Sequence, residues 1–287
     1  MGKRKSLIKQ GVDKLLSMAA FGQSKHEDKK QNGGHPAMDK IYSSVTMESY
    51  IDYVTRFLRW ARDRYGCRYL EEARKHVAEY LNERICTKSA WTVRAEAAGI
   101  AKLYQIRMDE LGVELPERKR EDIVQHRDQK WIGHFNPENH KDLVAFSQSS
   151  GLRRHEMAKA CPDDVREEAN GEVYVETVGK GGKYRKAPCL TAEPLRIAME
   201  AKALGKEKIF DSIPKYAPIH EFRAQYAQAM YDMLARPIDE IPKKEQYACR
   251  GDKRGVVYDK KAMAQVSKAL GHNRLDVVVD NYLYNNQ

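Results

Sequence analysis

Apolar residues recur at three- and four-residue steps along most of this chain, which is the signature of helices. Over 6–21, Leu7, Ile8, Val12, Leu15, Leu16 and Ala19 fall near one face and predict a short amphipathic helix. The polar stretch 22–39 follows, with Gly33, Gly34 and Pro36, and reads as a flexible linker. This first helix is therefore expected to pack on something other than its sequence neighbours: a protein contact, a DNA contact, or nothing, as a frayed tail. The region 43–113 reads as all-helical. Ser44 or Thr46 can cap a helix carrying Tyr50, Val54, Phe57, Leu58 and Ala61. A second helix near 69–83 holds Leu70, Ala73, Val77, Tyr80 and Leu81, and a third opens at Ser89 or Thr92 and runs to about Glu110. Gly112 and Pro116 close this unit. The charged run that starts at Glu117-Arg118-Lys119-Arg120 and continues to 130 reads as a linker between domains.

From about 136 the pattern changes. A helix over 137–149 leads into Gly151-Leu152-Arg153 and a second helix. Residues 172–178 alternate as a strand, 179–182 make a turn, and 184–190 return as a second strand, giving a β-hairpin among helices. Helices resume near 192–203, 218–235, 260–269 and 275–284. Between the middle two lies a polar insertion, 236–260, with Pro237, Pro242 and Gly251. The expected fold class is mainly α with a small β-hairpin or sheet, an α+β arrangement. The expected boundaries are 1–40, 41–117, a basic linker over 118–134, and 135–287.

Charge sharpens this picture. Lysine and arginine number 51 against 41 acidic residues, a net charge of +10, which favours a polyanionic partner through phosphate contacts and counterion release. The five cysteines, Cys67, Cys86, Cys161, Cys189 and Cys249, are scattered and form no C-x-x-C pair, which suits a reducing cytosol better than a disulfide framework or zinc knuckle. No apolar run approaches a membrane span, and Lys9, Asp13 and Lys14 interrupt any signal-peptide core. The start Met1-Gly2 with Ser6 matches the myristoylation pattern, a loose one that arises by chance.

Four motifs then stand in order: Gly151-Leu152-Arg153-Arg154-His155-Glu156, Gly179-Lys180-Gly181-Gly182-Lys183, His220-Glu221-Phe222-Arg223, and Leu270-Gly271-His272 followed by Tyr282 and Tyr284. Each alone has a plain reading. Arg153 and Glu156 can be a surface pair three residues apart on a helix. The glycine-flanked Lys180 can be a solvated hairpin turn, and a P-loop is excluded because no Ser or Thr follows the lysine and a strand, not a helix, comes next. His220 can be structural, His272 a helix cap, and Tyr282 part of a core. Together, two arginines, a lysine, two histidines and a tyrosine suit a site that holds a phosphodiester and attacks it without metal.

This order, G-L-R-x-x-E, strand–G-K-G-G-K-x-R–strand, H-x-x-R and L-G-H with a tyrosine beyond, resembles the tyrosine recombinase, or phage integrase, family over about 140–287. The helical region 41–117, with Tyr50, Phe57 and Trp60 in its first helix, looks like that family's core-binding domain. The resemblance implies roles for Arg153, with Arg154 the adjacent alternative, and for Lys180, His220, Arg223, His272 and the nucleophile Tyr282, with Tyr284 the alternative. Glu156 would orient its neighbours. Arg118, Lys119 and Arg120 of the linker and Lys243, Lys244, Lys253 and Arg254 of the insertion are the candidate DNA contacts. The implied activity is site-specific recombination through a 3′-phosphotyrosine and a Holliday junction, with no cofactor and no metal. A non-cleaving DNA-binding protein of the same fold and a type IB topoisomerase-like enzyme are the alternatives. The implied partners are duplex DNA carrying recombination sites, three further copies of the chain in a tetramer, and accessory DNA-bending proteins. A cytoplasmic or nucleoid location and an origin in a mobile element are expected. Only five residues follow Tyr282, so exchange of a C-terminal segment between protomers is not expected to run through this tail.

Overall fold

The computed structural model describes residues 5–35, 37–119, 135–179 and 182–283. The chain divides into two compact units, 1–123 and 124–287. The expected linker over 118–134 lies largely outside the described residues, as do Arg120, Lys180 and Tyr284.

The first unit is helical: α1 (Leu7–Leu16), α2 (Lys25–Gln31), α3 (Ser44–Tyr65), α4 (Leu70–Arg74), α5 (Val77–Ile85) and α6 (Ala90–Tyr104). Its centre is a shared apolar cluster that includes Leu15, Val54, Phe57, Leu58, Val93, Ile100 and Leu103. Here the structure departs from the sequence reading. Helix α1 is neither a separate module nor a frayed tail. It packs along α3, with Leu7 and Leu15 buried in the common core. Gly11 lets the two helices approach, because a side chain there would run into Leu58 and, at 3.2 Å, Val54. The connection is ordered as well. It contains α2, capped by the Ser24 side chain, and pairs Ala20 N–H with the Ile41 carbonyl at 2.9 Å and Ile41 N–H with the Met18 carbonyl at 2.7 Å. Lys102 then donates to the carbonyls of Ala37, Met38 and Lys40 at 2.9, 3.2 and 3.3 Å. Local composition hid this, since apart from the Ser24 cap these ties are made by backbone or by a residue more than 60 positions away.

Two expected helices are shorter than read. The one over 69–83 breaks into α4 and α5, where the His76 ring stacks on Tyr65 with centroids 3.7 Å apart. The third ends at Tyr104, because Gln105 adopts a left-handed conformation at φ 55°. A buried carboxylate is the polar centre of this unit. Glu96 is fully buried and bonded to Arg84 at 2.6 and 2.8 Å, Arg56 at 2.6 Å and the Tyr80 hydroxyl at 3.2 Å, so its charge is met from three sides.

The second unit begins with α7 (Lys141–Ser150) and the one-turn α8 (Arg154–Met157), then the strands β1 (Val165–Glu167), β2 (Val173–Val178) and β3 (Tyr184–Pro188). The hairpin read from the sequence is thus part of a three-stranded antiparallel sheet in the order β1-β2-β3, with Val165 opposite Val175 and Val175 opposite Ala187. Strand β1 is too short for alternation to reveal it. Helices α9 (Glu193–Ala203) and α10 (Ile219–Leu234) follow, and α7 packs between them. The polar insertion is not a bare loop. It folds a second antiparallel pair, β4 (Gln246–Ala248) and β5 (Val257–Asp259), which runs directly into α11 (Lys260–Ala269) and then α12 (Leu275–Asn281). Tyr226, Tyr258, Met263, Val266, Val278 and Leu283 join these elements in one apolar cluster. The chain is mainly α with small sheets, as the hydrophobic pattern indicates.

The position of α1 gives a direct test. Leu15→Ala should destabilise the full-length protein by about 2–5 kcal/mol, the usual effect of hollowing a packed core. Its exposed neighbour in Leu16→Ala should change stability by no more than ~0.5 kcal/mol. Urea unfolding of the two variants checks this, and equal, negligible effects would return α1 to the status of a tail.

Candidate functional site

The site is assembled by two helix ends that stop on glycine. Helix α7 ends at Gly151 with φ 59°, and the Tyr226 ring lies so close that any side chain at 151 would collide with it. The chain therefore turns sharply and presents Arg153 as the N-cap of α8. Helix α11 ends in a Schellman motif: Gly271 N–H donates to the Lys268 carbonyl at 2.9 Å, and His272 N–H to the Ser267 carbonyl at 2.8 Å. Gly271 has φ 70°, and a side chain on it would meet Arg185 Cδ at 2.8 Å. The Leu-Gly-His corner is thus a helix stop that throws His272 towards Arg153 and Arg223.

Arg223, on the inner face of α10, is 1% exposed. Its Nε donates to Tyr282 Oη at 3.2 Å, one Nη to the Gly151 carbonyl, and the other to the Leu270 carbonyl at 2.6 Å. Arg153 Nη2 reaches the same Leu270 carbonyl at 3.4 Å. Both guanidiniums lie 3.5 Å from His272 Nε2, and Tyr282 Oη lies 3.4 Å from that nitrogen. A guanidinium offers only donors, so Nε2 facing two of them must be the lone-pair nitrogen, with the ring proton on Nδ1. Burial, then Arg223 and Arg153, push the His272 pKa down to about 4. The imidazole is therefore neutral at pH 7 and can accept a proton from Tyr282.

Glu156 braces the arginines from behind. Its Oε2 accepts from the Arg153 backbone N–H and from Arg185 Nη2, both at 2.8 Å, and its Oε1 from Arg153 Nη1 at 2.9 Å. Burial pushes this carboxyl up, but Arg185 and Arg153 outweigh it and hold the pKa below its ordinary value. Glu156 thus pairs with two guanidiniums, of Arg153 and Arg185, and a third, of Arg223, stands with Arg153 at His272 Nε2. The local balance is positive, and it favours an anion.

Arg185 closes the G-K-G-G-K-x-R motif, and the sequence reading gave it no role. It is 7% exposed and also donates to the Ala269 carbonyl, bracing the end of α11. The signal was its register: it occupies an inward position of β3, between the exposed Tyr184 and Lys186. Arg154, the alternative to Arg153, has a different task. It holds the loop before α10 through the carbonyls of Pro214 at 2.8 Å and Ala217 at 2.5 Å. His220 is exposed, one turn before Arg223, and lines a cavity of about 270 Å³ with Arg153, Arg154, His155 and Arg223. A larger cavity of about 660 Å³ along α7 and α9 contains none of these residues.

Gly179, next to Lys180, packs on the site: a side chain there would meet Glu156 Oε1 at 3.2 Å and Arg153 Nη1 at 3.8 Å. Across the turn, Lys183 Nζ donates to Asn273 Oδ1, beside His272, at 2.6 Å. Among the candidate DNA contacts, Arg118, Lys119, Lys243, Lys244 and Arg254 are exposed. Lys253 is instead turned inward, donating to the carbonyls of Val279 at 2.6 Å and Leu283 at 3.1 Å. Among the described residues no three His, Cys, Asp or Glu side chains converge as a metal site would, and no helix is long and apolar enough to cross a membrane.

Solved structures share this architecture. A XerH site-specific recombinase bound to palindromic difH substrate, in a post-cleavage complex, aligns with a TM-score of 0.54 and 13% identity, over 98% of this chain and 92% of that one. XerH in a pre-cleavage complex with difH aligns at 0.52 and 13%, over 97% and 92%. A Tn1549 transposon integrase in complex with circular intermediate DNA aligns over 98% and 96% at 12% identity, with a TM-score of 0.47. No protein-family model and no curated protein matches the sequence. The chain has the tyrosine recombinase fold, and at such identity the likeness to XerH carries the fold and not the activity.

The neutral state of His272 predicts a pH dependence. In DNA-free protein its NMR titration midpoint should lie near 4, and it should rise when a phosphodiester offsets the two arginines. A folded pKa below the unfolded value of 6.5 means that the unfolded chain binds more protons between these limits. This contribution to stability is complete above pH 6.5 and is lost as pH falls towards 4. His272→Gln should flatten the stability–pH curve in that window; an unchanged slope, with a wild-type midpoint near 6.5, would show the ring to be solvated.

Proposed function

We propose that this protein cuts and rejoins DNA as a site-specific recombinase, with Tyr282 as nucleophile. The observation that carries the reading is the Tyr282 hydroxyl, 3.2 Å from Arg223 Nε and 3.4 Å from His272 Nε2, beside Arg153. The fold shared with XerH, the net charge of +10 and the positive balance of the site support it.

In this mechanism Arg153 and Arg223 hold the non-bridging oxygens of the scissile phosphate, and the exposed His220 adds a third contact. Forked, permanently charged groups suit this task better than lysine does. Tyr282 Oη attacks phosphorus and gives its proton to His272 Nε2. The P–O5′ bond breaks, and Lys180 supplies the proton to the leaving 5′-oxygen. The products are a 3′-phosphotyrosine and a free 5′-hydroxyl. The phosphodiester energy is retained in the ester, so a 5′-hydroxyl can reverse the step without ATP. Transition-state charge falls on groups already fixed in place, which is what phosphoryl transfer chiefly requires. Four protomers on two DNA sites would exchange strands in pairs through a Holliday junction, with accessory DNA-bending proteins as further partners. The exposed Arg118, Lys119, Lys243, Lys244 and Arg254 would track phosphates. A cytoplasmic or nucleoid location and carriage on a mobile element belong to the same reading.

Tyr282→Phe should abolish covalent attachment to a nicked DNA site while gel-shift binding persists. Binding by wild type with no adduct would favour a non-cleaving DNA-binding protein, and adducts lost only in Tyr284→Phe would move the nucleophile. Cleavage should proceed in EDTA, because Arg153, Arg223 and Lys180 supply the positive charge; an absolute Mg²⁺ requirement would overturn the mechanism.

Lys180→Ala should slow cleavage of ordinary DNA by about 10²–10⁴-fold, the range of a lost general acid. DNA with a 5′-bridging phosphorothiolate should be cleaved at nearly the wild-type rate, because a sulfur leaving group needs no proton. Equal defects on both substrates would make Lys180 a binding residue.

A further inference from the structure

Tyr282 does not sit on a helix. It lies just past α12, at φ −133° and ψ −31°, so helix geometry does not fix where its hydroxyl points. Its N–H and that of Leu283 both fold back to the Val278 carbonyl, at 2.9 and 3.1 Å. The carbonyls of Val279 and Leu283 lie at the end of this helix, where the helix's own N–H groups run out. A single ammonium takes both: Lys253 Nζ donates to Val279 O at 2.6 Å and to Leu283 O at 3.1 Å. These two residues flank Tyr282, so Lys253 closes the backbone loop that carries it.

Lys253 is itself held by the site. It ends the 3₁₀ turn Gly251–Lys253 between β4 and β5. The root of that strand pair is Asp259, fully buried, which receives Arg236 at 2.8 and 2.9 Å from the end of α10 and caps α11 through Lys261 N–H at 2.9 Å. Helix α10 carries Arg223, and α11 leads to His272. The insertion thus connects the elements bearing the phosphate-binding groups to the segment bearing the tyrosine.

We propose that Lys253 is a positioning residue for Tyr282, and that the 236–260 strand pair is the brace that sets the tyrosine against Arg223 and His272. This rests on the recombinase reading for its catalytic consequence but not for its structural one. The ammonium acts through backbone carbonyls and touches no reacting atom. Lys253→Met keeps the aliphatic stem and removes the donors. It should leave DNA binding unchanged and slow covalent adduct formation by about tenfold to a hundredfold, the scale of a reacting group misplaced by about 1 Å. Lys253→Arg, which keeps the charge and the donors, should recover most of the rate. The defect should be the same on a 5′-bridging phosphorothiolate, because nucleophile placement and not leaving-group protonation is lost. Amide hydrogen exchange at Tyr282 and Leu283 in DNA-free protein should speed up in Lys253→Met and return in Lys253→Arg.

Wild-type rates for Lys253→Met, or a defect that the phosphorothiolate repairs, would overturn the proposal. If wild type itself forms no adduct, the recombinase reading falls, and the exchange measurement still decides the brace: unchanged protection in Lys253→Met overturns it. If Lys253→Met does not fold, Lys253→Leu, which also removes the donors and keeps an apolar stem, takes its place, with the same outcomes deciding; failure of both to fold while Lys253→Arg folds and protects the Tyr282 and Leu283 amides supports the brace, and unprotected amides in Lys253→Arg overturn it.

Discussion

Arg223 carries a permanent charge in the interior with backbone carbonyls, a tyrosine hydroxyl and an imidazole nitrogen as its partners. A buried guanidinium is costly to desolvate, and burial works against its charged form. The usual remedy is a carboxylate, and the nearby one, Glu156, is taken by Arg153 and Arg185. Arg223 is kept in place by the carbonyls of Gly151 and Leu270, which are exposed only because helices α7 and α11 stop there. Much of the second unit follows from that constraint. Both helices must end where they do, each on a left-handed glycine, and Tyr226 and Arg185 must fill the space those glycines leave. What remains uncompensated is positive charge turned toward a cavity, a ground state that an anionic phosphodiester would relieve.

Most of this was legible where chemistry and local order coincide. The glycine stops, the alternation of β2 and β3 and the inward face of α10 each leave a mark within a few residues, so Arg153, Arg223, His272 and Tyr282 could be named and the structure brings them within hydrogen-bond distance of one another. The Arg153–Arg154 ambiguity could not be settled by spacing, because adjacent residues at a helix start point apart, one to the site and one to the loop before α10. What was not legible rests on distant partners. Helix α1 reads as isolated because Leu58 lies 47 residues beyond Gly11, and the order of the connection depends on Lys102. Strands β4 and β5 have three residues each, below the length at which alternation can be detected, so a structured brace looked like a polar loop.

That misreading concerns the nature of lysine more than the detection of strands. A surface count of basic residues treats Lys243, Lys244, Lys253 and Arg254 as equivalent positive charges. The structure separates them by what their heads can reach. Lys243, Lys244 and Arg254 stay exposed, whereas Lys253 has a flexible stem long enough to bring its ammonium to two backbone carbonyls. Helix α12 has only seven residues, and its last turn holds Tyr282 through one backbone bond, from N–H to the Val278 carbonyl at 2.9 Å. Further support comes from outside the helix, and among the described contacts the basic group on the carbonyls of Val279 and Leu283 is Lys253. In the proposed mechanism the groups that would hold phosphate are fixed by helix ends, and the strand pair adds a further support, through Lys253, on the segment that carries Tyr282. On that reading, a change at Lys253 would alter the approach of the tyrosine without disturbing the grip on phosphate, the separation that a strand-transfer enzyme of the proposed kind needs if binding and cutting are to be controlled apart.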